Sequence, residues 1–211
     1  MIRAANWTWL QTHKGTPQHE IGDAVSQIVK RSLAFCGARE WDSTRDWHDY
    51  VLLNVAILVG SQDLIEEVLK FVSVADVNAE KPNWFRAQTG ILKCRMMGDP
   101  AQAERQYEIM NLCRGKQPAT RTATKAVLRS FIADDAKAMR RQIKSVTDYY
   151  WKELQRILRV PVLNTDGEIR LGVWDDNRFW PWPEAAILKL MARGGAKIEA
   201  NEFWLPEQLI A

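Results

Sequence analysis

The sequence predicts an all-α fold built from stacked antiparallel helical hairpins. Three observations lead to this prediction. Apolar residues recur at intervals of three and four along most of the chain, which is the period of an amphipathic helix. A motif that ends one helix and begins the next occurs three times. Helical periodicity then stops at Pro161, ahead of an aromatic segment near the C-terminus.

Two helices are predicted in the first 60 residues. Ile21, Val25 and Ile28 share one face of a helix from about 18 to 35, because their spacing matches the helical period. The next helix, 45–59, is apolar almost all round. A helix without a polar face belongs inside a core, so we expect this one to be the central helix.

The repeated motif occupies residues 58–64, 96–102 and 131–137. In each copy two apolar residues end a helix, a small residue turns the chain, and a Ser or Asp side chain caps the next helix. The small residues are 38 and 35 positions apart, at Gly60, Gly98 and Ala133. Such a period is typical of helix–turn–helix repeats, so we expect an array like those of TPR or HEAT proteins.

The later helices follow from the same spacing, at 61–74, 83–97, 100–113, 119–132 and 135–158. Residues 162–171 predict a short extended hairpin around an Asp-Gly turn. A last helix begins near Pro183 and ends at Gly194-Gly195, since glycine commonly ends helices. We expect one domain over 1–211, with the hairpin array in 1–160 and an aromatic capping segment in 161–211.

Composition favours a cytoplasmic globular protein. The longest uncharged run, 50–62, has 13 residues, short of the roughly 20 that a membrane-spanning helix needs. The N-terminal residues lack the apolar core of a secretory signal. The cysteines are three, without close spacing, at Cys36, Cys94 and Cys113. We expect them to be free thiols, as in reducing compartments.

Positive charge is concentrated in the middle of the chain. Residues 114–160 hold 12 Lys and Arg against 4 Asp and Glu, whereas the rest holds 17 against 22. A basic segment of this kind can attract nucleic acid or an acidic protein face. The plainer interpretation is a solvated helix surface.

No residue pattern predicts catalysis, a metal site or a cofactor site. The histidines are His13, His19 and His48, and none is spaced as one of a ligand pair. There is no C-x-x-C pair, no G-x-S-x-G elbow and no glycine-rich phosphate loop. We therefore expect a protein that is not an enzyme and binds no cofactor.

The aromatic C-terminal segment contains the candidate binding residues. Its Trp and Phe side chains predict a cap that covers the open end of the helical stack, although aromatic residues are also enriched at binding hot spots. Asp175-Asp176 precede this cluster on non-helical backbone, where the acids can face a cation or a basic partner; the plainer interpretation is a polar loop. The candidate partner-binding residues are Asp175, Asp176, Arg178, Trp180 and Trp182.

The run Arg178-Phe179-Trp180-Pro181-Trp182-Pro183-Glu184-Ala185-Ala186, followed by Phe203-Trp204-Leu205-Pro206, resembles a known protein class. It is similar to the tail of all-helical immunity proteins of bacterial polymorphic-toxin and interbacterial-competition systems, above all the immunity-protein-49 group. The similarity is specific over about 174–211, and the preceding hairpins match that class in order and size.

The resemblance implies a protein that binds a cognate toxin inside the producing cell and blocks it stoichiometrically. Because the chain is slightly basic, a non-nuclease toxin, or inhibition away from the active site, fits better than mimicry of nucleic acid. Three alternatives stay open: a helical-repeat adaptor for a peptide or protein, a nucleic-acid-binding helical protein, and an enzyme of unfamiliar type. We expect no nucleic-acid partner and no membrane association.

Overall fold

The computed structural model describes residues 2–37, 45–59, 61–76, 82–113, 119–159, 162–163, 169–170 and 181–197. These residues are overwhelmingly helical, as predicted. The helices are α1 (Ile2–His13), α2 (Gln18–Gly37), α3 (Arg45–Val59), α4 (Gln62–Phe71), α5 (Trp84–Met96), α6 (Pro100–Leu112), α7 (Ala119–Ile132), α8 (Ala136–Arg159) and α9 (Trp182–Arg193).

Helix α1 was not predicted, and its packing explains why. Its described buried residues are Ala4, Ala5, Thr8 and Thr12, all of which are small or carry a hydroxyl group. The threonine hydroxyls are satisfied within the helix: Thr8 donates to the carbonyl of Ala4, and Thr12 donates to that of Thr8, each at 2.9 Å. An apolar periodicity is therefore missing from this segment.

Helix α3 is the central helix, which confirms the prediction from its composition. All residues from Asp49 to Leu58 are buried. The helix contacts α1, α2, α4, α5 and α9. A helix that is enclosed on every side needs apolar residues all round, and this is what the sequence supplies.

The turns of the second and third motif copies have the same backbone pattern, which the α1–α2 turn at Gly15 also shows. At the end of α5, Gly98 donates to the carbonyl of Arg95 and Asp99 to that of Cys94; at the end of α7, Asp134 donates to Phe131 and Asp135 to Ser130. Gly98 and Asp134 both have positive φ, at 76° and 51°. Both turns are Schellman motifs with a left-handed residue after the helix.

This pattern corrects the alignment of the third motif copy. The sequence comparison matched Ala133 to Gly98, but the left-handed position is occupied by Asp134, one residue later. The caps shift accordingly: Asp99 accepts from the N–H of Gln102, and Asp135 accepts from that of Ala138. The spacing of the two turns is thus 36 residues. In the first motif copy only Gly60 lies outside the described residues, and the predicted cap is present: the Ser61 hydroxyl accepts from the N–H of Leu64.

Beyond α8, the described residues include two short strands, β1 (Val162–Leu163) and β2 (Ile169–Arg170). They pair antiparallel, with Val162 opposite Arg170 and Leu163 opposite Ile169. Residues 164–168, which hold the predicted Asp-Gly turn, lie outside the described residues, so that turn stays a prediction.

Helix α9 folds back onto the body of the domain. It packs against α3 and α7, and residues from Trp182 to Lys189 are all buried. The helix ends as predicted at the glycine pair, with Gly195 in the left-handed conformation at φ 90°. Among the described residues, no helix has the length and apolar character that crossing a bilayer requires.

Candidate functional site

The structure describes one of the five candidate partner-binding residues. Trp182 is the first residue of α9 and is fully buried. Asp175, Asp176, Arg178 and Trp180 lie outside the described residues. In this conformation the Trp182 ring is therefore part of the core and offers no surface to a partner.

Trp182 belongs to an aromatic cluster that joins three helices. Its ring centroid lies 5.5 Å from that of Tyr50 and 6.5 Å from that of Trp47, both on α3. Phe85 of α5 extends the cluster, 4.7 Å from Trp47 and 5.3 Å from Tyr50. Edge-to-face and tilted contacts at these distances are favourable. The N-terminus of α9 is thereby fixed to α3.

Helix α9 also forms two polar contacts with the helices on either side of it. The Lys189 ammonium donates to the carbonyl oxygen of Leu58, on α3, at 3.1 Å. The Thr124 hydroxyl, on α7, donates to Glu184 Oε1 at 2.7 Å. These bonds link α9 to both helices that flank it, so its position and rotation are set by polar as well as apolar contacts.

Burial shifts the pKa values of the two buried ionisable residues on α9, Glu184 and Lys189. The pKa of Glu184 is raised because burial penalises the carboxylate, although the bond from Thr124 lowers it. The pKa of Lys189 is lowered to about 8 by burial and by the nearby charge of Arg193. Helix α9 thus carries its two buried charges at a cost to folding.

The most distinctive surface feature is a line of three cations on α7. Arg121, Lys125 and Arg129 are four residues apart, so they lie on the same side of the helix. The guanidinium of Arg121 lies 5.0 Å, and the ammonium of Lys125 5.5 Å, from the centroid of the Trp84 ring. Arg129 lies 5.5 Å from the ring of Tyr107. We call these three residues the basic row.

The rings under the basic row come from other helices. Trp84 is the first residue of α5, after the cap Asn83, and Tyr107 is on α6. Val127, Leu128, Phe131 and Ile132 of α7 are buried, and Leu128 and Ile132 come three residues after Lys125 and Arg129, so the basic row borders the buried side of the helix. The neighbouring aromatic rings support the three cations along this border.

The charges of the basic row are only partly neutralised. Arg129 forms an ion pair with Glu104 of α6, and this contact raises the pKa of Arg129. Among the residues that the structure describes, no acidic side chain forms an ion pair with Arg121 or Lys125. Within the described part of the chain, the N-terminal half of α7 therefore presents two cations that form no ion pair.

A second charged group lies at the start of α3 and is largely buried. The Arg86 Nε atom lies 2.8 Å from Asp46 Oδ1, and the Arg45 Nε atom lies 4.0 Å from Asp49 Oδ1. Burial raises the pKa of Asp46 despite the charge of Arg86. Burial likewise raises the pKa of Asp49 to about 6, against the attraction of Arg45. These two arginines compensate the acids, so the group is an internal ion-pair cluster.

A pocket of about 510 Å³ opens where α5, α7 and α9 end. The apolar residues Met96, Phe131, Leu190 and Met191 line it together with Arg95 and Asp134, which form an ion pair with each other. The Arg95 guanidinium also lies 5.5 Å from the Phe131 ring centroid. None of the five candidate partner-binding residues is among the described residues that line the pocket.

Within the described ranges, no three His, Cys, Asp or Glu side chains come together as a metal site. Cys94 and Cys113 are buried free thiols, and burial raises the pKa of both. Neither is poised as a nucleophile, because a reactive cysteine needs an accessible thiolate. The Cys36 side chain lies outside the described residues.

The basic row was only half visible in the sequence. The positive charge of 114–160 could be counted, and we interpreted it as a solvated helix surface; the four-residue spacing of the three cations was not used. The supporting rings are supplied by residues far away in the chain, and no local pattern connects them. No protein-family model, curated protein or solved structure gives a significant match to this chain.

Proposed function

We propose that this protein is a helical immunity protein, which neutralises a cognate bacterial toxin in the cytoplasm by stoichiometric binding. In this proposal the hairpins α3–α4, α5–α6 and α7–α8 are units of a TPR- or HEAT-like array, and the aromatic C-terminal segment caps it. The protein itself transforms no substrate and needs no cofactor; inhibition comes from occupying the toxin's surface.

The observation that carries the proposal is the burial of α9 between α3 and α7. In the proposed array the first helices of the hairpins, α3, α5 and α7, form one face, since α5 contacts both α3 and α7. An adaptor of the helical-repeat type would use such a face as an open groove for a peptide. Here α9 covers it with apolar side chains and with the bonds from Lys189 and Thr124.

A filled inner face favours a prefolded binder over a groove that receives peptides. A prefolded surface pays little ordering entropy on association, which is the condition for tight one-to-one inhibition. The resemblance of residues 174–211 to immunity proteins supports the same choice. The adaptor alternative would require α9 to leave a position where its apolar side chains, Glu184 and Lys189 are all buried.

Co-expression with the toxin encoded just upstream tests the proposal. We expect cells that express both proteins to survive, and the purified pair to form a one-to-one complex by light scattering. The control is the same toxin with an unrelated helical protein, which should leave it lethal. If every neighbouring toxin keeps its full lethality beside this protein, the proposal is wrong. Capture of several unrelated peptides by the intact chain would instead support the adaptor.

A further inference from the structure

We propose that the basic row of α7, supported by Trp84 and Tyr107, is the face that recognises a carboxylate-rich surface of the toxin. This inference rests on the proposed function, since the partner is the toxin itself. It assigns a surface and a partner chemistry, which the resemblance to immunity proteins does not supply.

The geometry of the basic row suits recognition of carboxylates. A cation that lies over an aromatic ring is held by the electrons of the ring face. Its N–H groups are not used by that contact, and an arginine can direct them at a carboxylate in a bidentate pair. Because Arg121 and Lys125 already lie over the Trp84 ring, they lose less rotamer freedom on binding than free surface side chains would.

The residue types are those of binding hot spots. Trp, Tyr and Arg dominate the energetics of protein interfaces, and the basic row combines all three within one helix face and its two supporting rings. Arg121 and Lys125 are partly exposed, and the Arg129 side chain is 54% exposed. The cations are accessible while their rings are held in the structure, Trp84 being buried.

Charge decides which partner fits. Arg121 and Lys125 have no acidic partner among the described side chains, as the ion pairs above indicate. The ion pair between Glu104 and Arg129 lies at the C-terminal end of the basic row. The complementary surface is an acidic protein patch. Its carboxylates would face Arg121 and Lys125, and its polar groups would face the Glu104–Arg129 pair.

The same geometry is poorly suited to nucleic acid. The three cations extend over about 12 Å of helix axis, at 1.5 Å per residue, which is enough for only a few phosphates. Glu104 would repel a phosphate backbone that followed the row. The Trp84 ring is buried and covered by two cations, so it offers no free face for stacking a base.

The test is a charge reversal with a matched control. In the full-length chain, Arg121→Glu with Lys125→Glu replaces the two cations that lie over the Trp84 ring with carboxylates. Lys137→Glu with Arg141→Glu makes the same change in net charge on exposed residues of α8. Binding to the toxin is measured by calorimetry at low and high salt, and circular dichroism confirms that both variants are folded.

We expect the basic-row variant to bind the toxin about 100-fold more weakly, since each tenfold step is 1.4 kcal/mol and close interfacial charge pairs commonly exceed that. The α8 variant should stay within about threefold of the wild type. Equal binding by all three proteins overturns the proposal, and so does an equal loss in both variants. If charge reversal prevents folding, Arg121→Gln with Lys125→Gln replaces it, and a loss of at least about tenfold is expected.

The proposed function and this inference fail in different ways. If the wild type protects against the toxin and the basic-row variant protects equally well, the function stands and the face is wrong. If the wild type binds no neighbouring toxin, the function falls, and two probes decide the face: a ten-residue polyglutamate peptide and a single-stranded oligonucleotide of ten thymidines. Peptide binding that the variant loses supports the acidic-protein face; preferential oligonucleotide binding, or no binding, overturns it.

Discussion

Lys189 donates a hydrogen bond to the carbonyl oxygen of Leu58, a residue 131 positions earlier in the chain, over 3.1 Å. Leu58 belongs to the last turn of α3, where carbonyl groups lack partners within the helix. The ammonium thus satisfies a buried acceptor at the negative end of the helix dipole. The cost is a charge in the core, which lowers the pKa of Lys189 to about 8.

The lowered pKa of Lys189 predicts that the free energy of unfolding rises with pH in the alkaline range. The unfolded side chain keeps its proton up to its ordinary pKa of 10.5, whereas the folded one releases it near 8. Between these values the unfolded state binds more protons, so the free energy of unfolding increases with pH, by at most about 3 kcal/mol. Urea unfolding at pH 7.5 and pH 9.5 should show this increase in the wild type and not in Lys189→Met. Parallel pH profiles would contradict the prediction.

Asp49 predicts the opposite trend in mild acid. Its pKa is about 6 in the folded state against an ordinary value of 3.8. Between these values the folded state holds a proton that the unfolded state has released. Protonation of Asp49 therefore adds at most about 3 kcal/mol to the free energy of unfolding. This contribution is fully present below about pH 4 and is lost as the pH rises through 6. Asp49→Asn should remove this loss, as measured by denaturant unfolding at pH 4 and pH 7. If Asp49→Asn keeps the pH dependence of the wild type, the prediction is wrong.

Two glycines in helix interiors should respond to alanine with opposite signs. A Cβ on Gly90 would lie 2.4 Å from Gln106 Oε1, and the Gln106 amide holds both the N–H and the carbonyl of Ala75, at 2.9 and 3.0 Å. Gly90→Ala should therefore destabilise the protein by about 2 kcal/mol. A Cβ on Gly22 would meet Val59 at an ordinary 3.7 Å, so Gly22→Ala should stabilise by about 0.5–1 kcal/mol. Thermal unfolding that shifts both variants in one direction would contradict this packing.

The bond from Thr124 to Glu184 can be tested against a control on the same helix. Thr124→Val removes the hydroxyl donor, so Glu184 Oε1 stays buried without this hydrogen bond. The other carboxyl oxygen, Glu184 Oε2, already has no partner among the described residues. We expect a loss of about 2 kcal/mol. Thr122→Val makes the same substitution at an exposed position of α7 and should change stability by less than about 0.5 kcal/mol. Equal losses in the two variants would mean that valine, and not the lost bond, is responsible.

Two substitutions of Trp182 distinguish the contribution of its packing to stability from that of its indole N–H. Its indole N–H is buried and has no partner in the described part of the chain. Trp182→Phe should therefore stay within about 1 kcal/mol of the wild type, because the lost contacts are offset by removal of an unsatisfied donor. Trp182→Ala should cost about 3–5 kcal/mol through the cavity it leaves. Tolerance of the alanine variant would show that α9 is not anchored by this ring.

Much of the helical fold was predictable because its signals are local. The bounds of α3 and α7 agree with the predicted ranges, and the ends of the other predicted helices lie within three residues of the observed ones. Caps such as Asp99 act within three residues of their own position. Asp134 was missed as the left-handed residue, because an aspartate gives a weaker signal of positive φ than a glycine does.

The helical period and the capping chemistry of neighbouring residues are enough to locate the helical segments, several of their ends and the enclosed position of α3. The position of α9 between α3 and α7, and the placement of the α7 cations over Trp84 and Tyr107, become visible only when whole helices are packed together. Those relationships join residues that are distant in the chain. They depend on how whole helices pack, which no short-range pattern encodes.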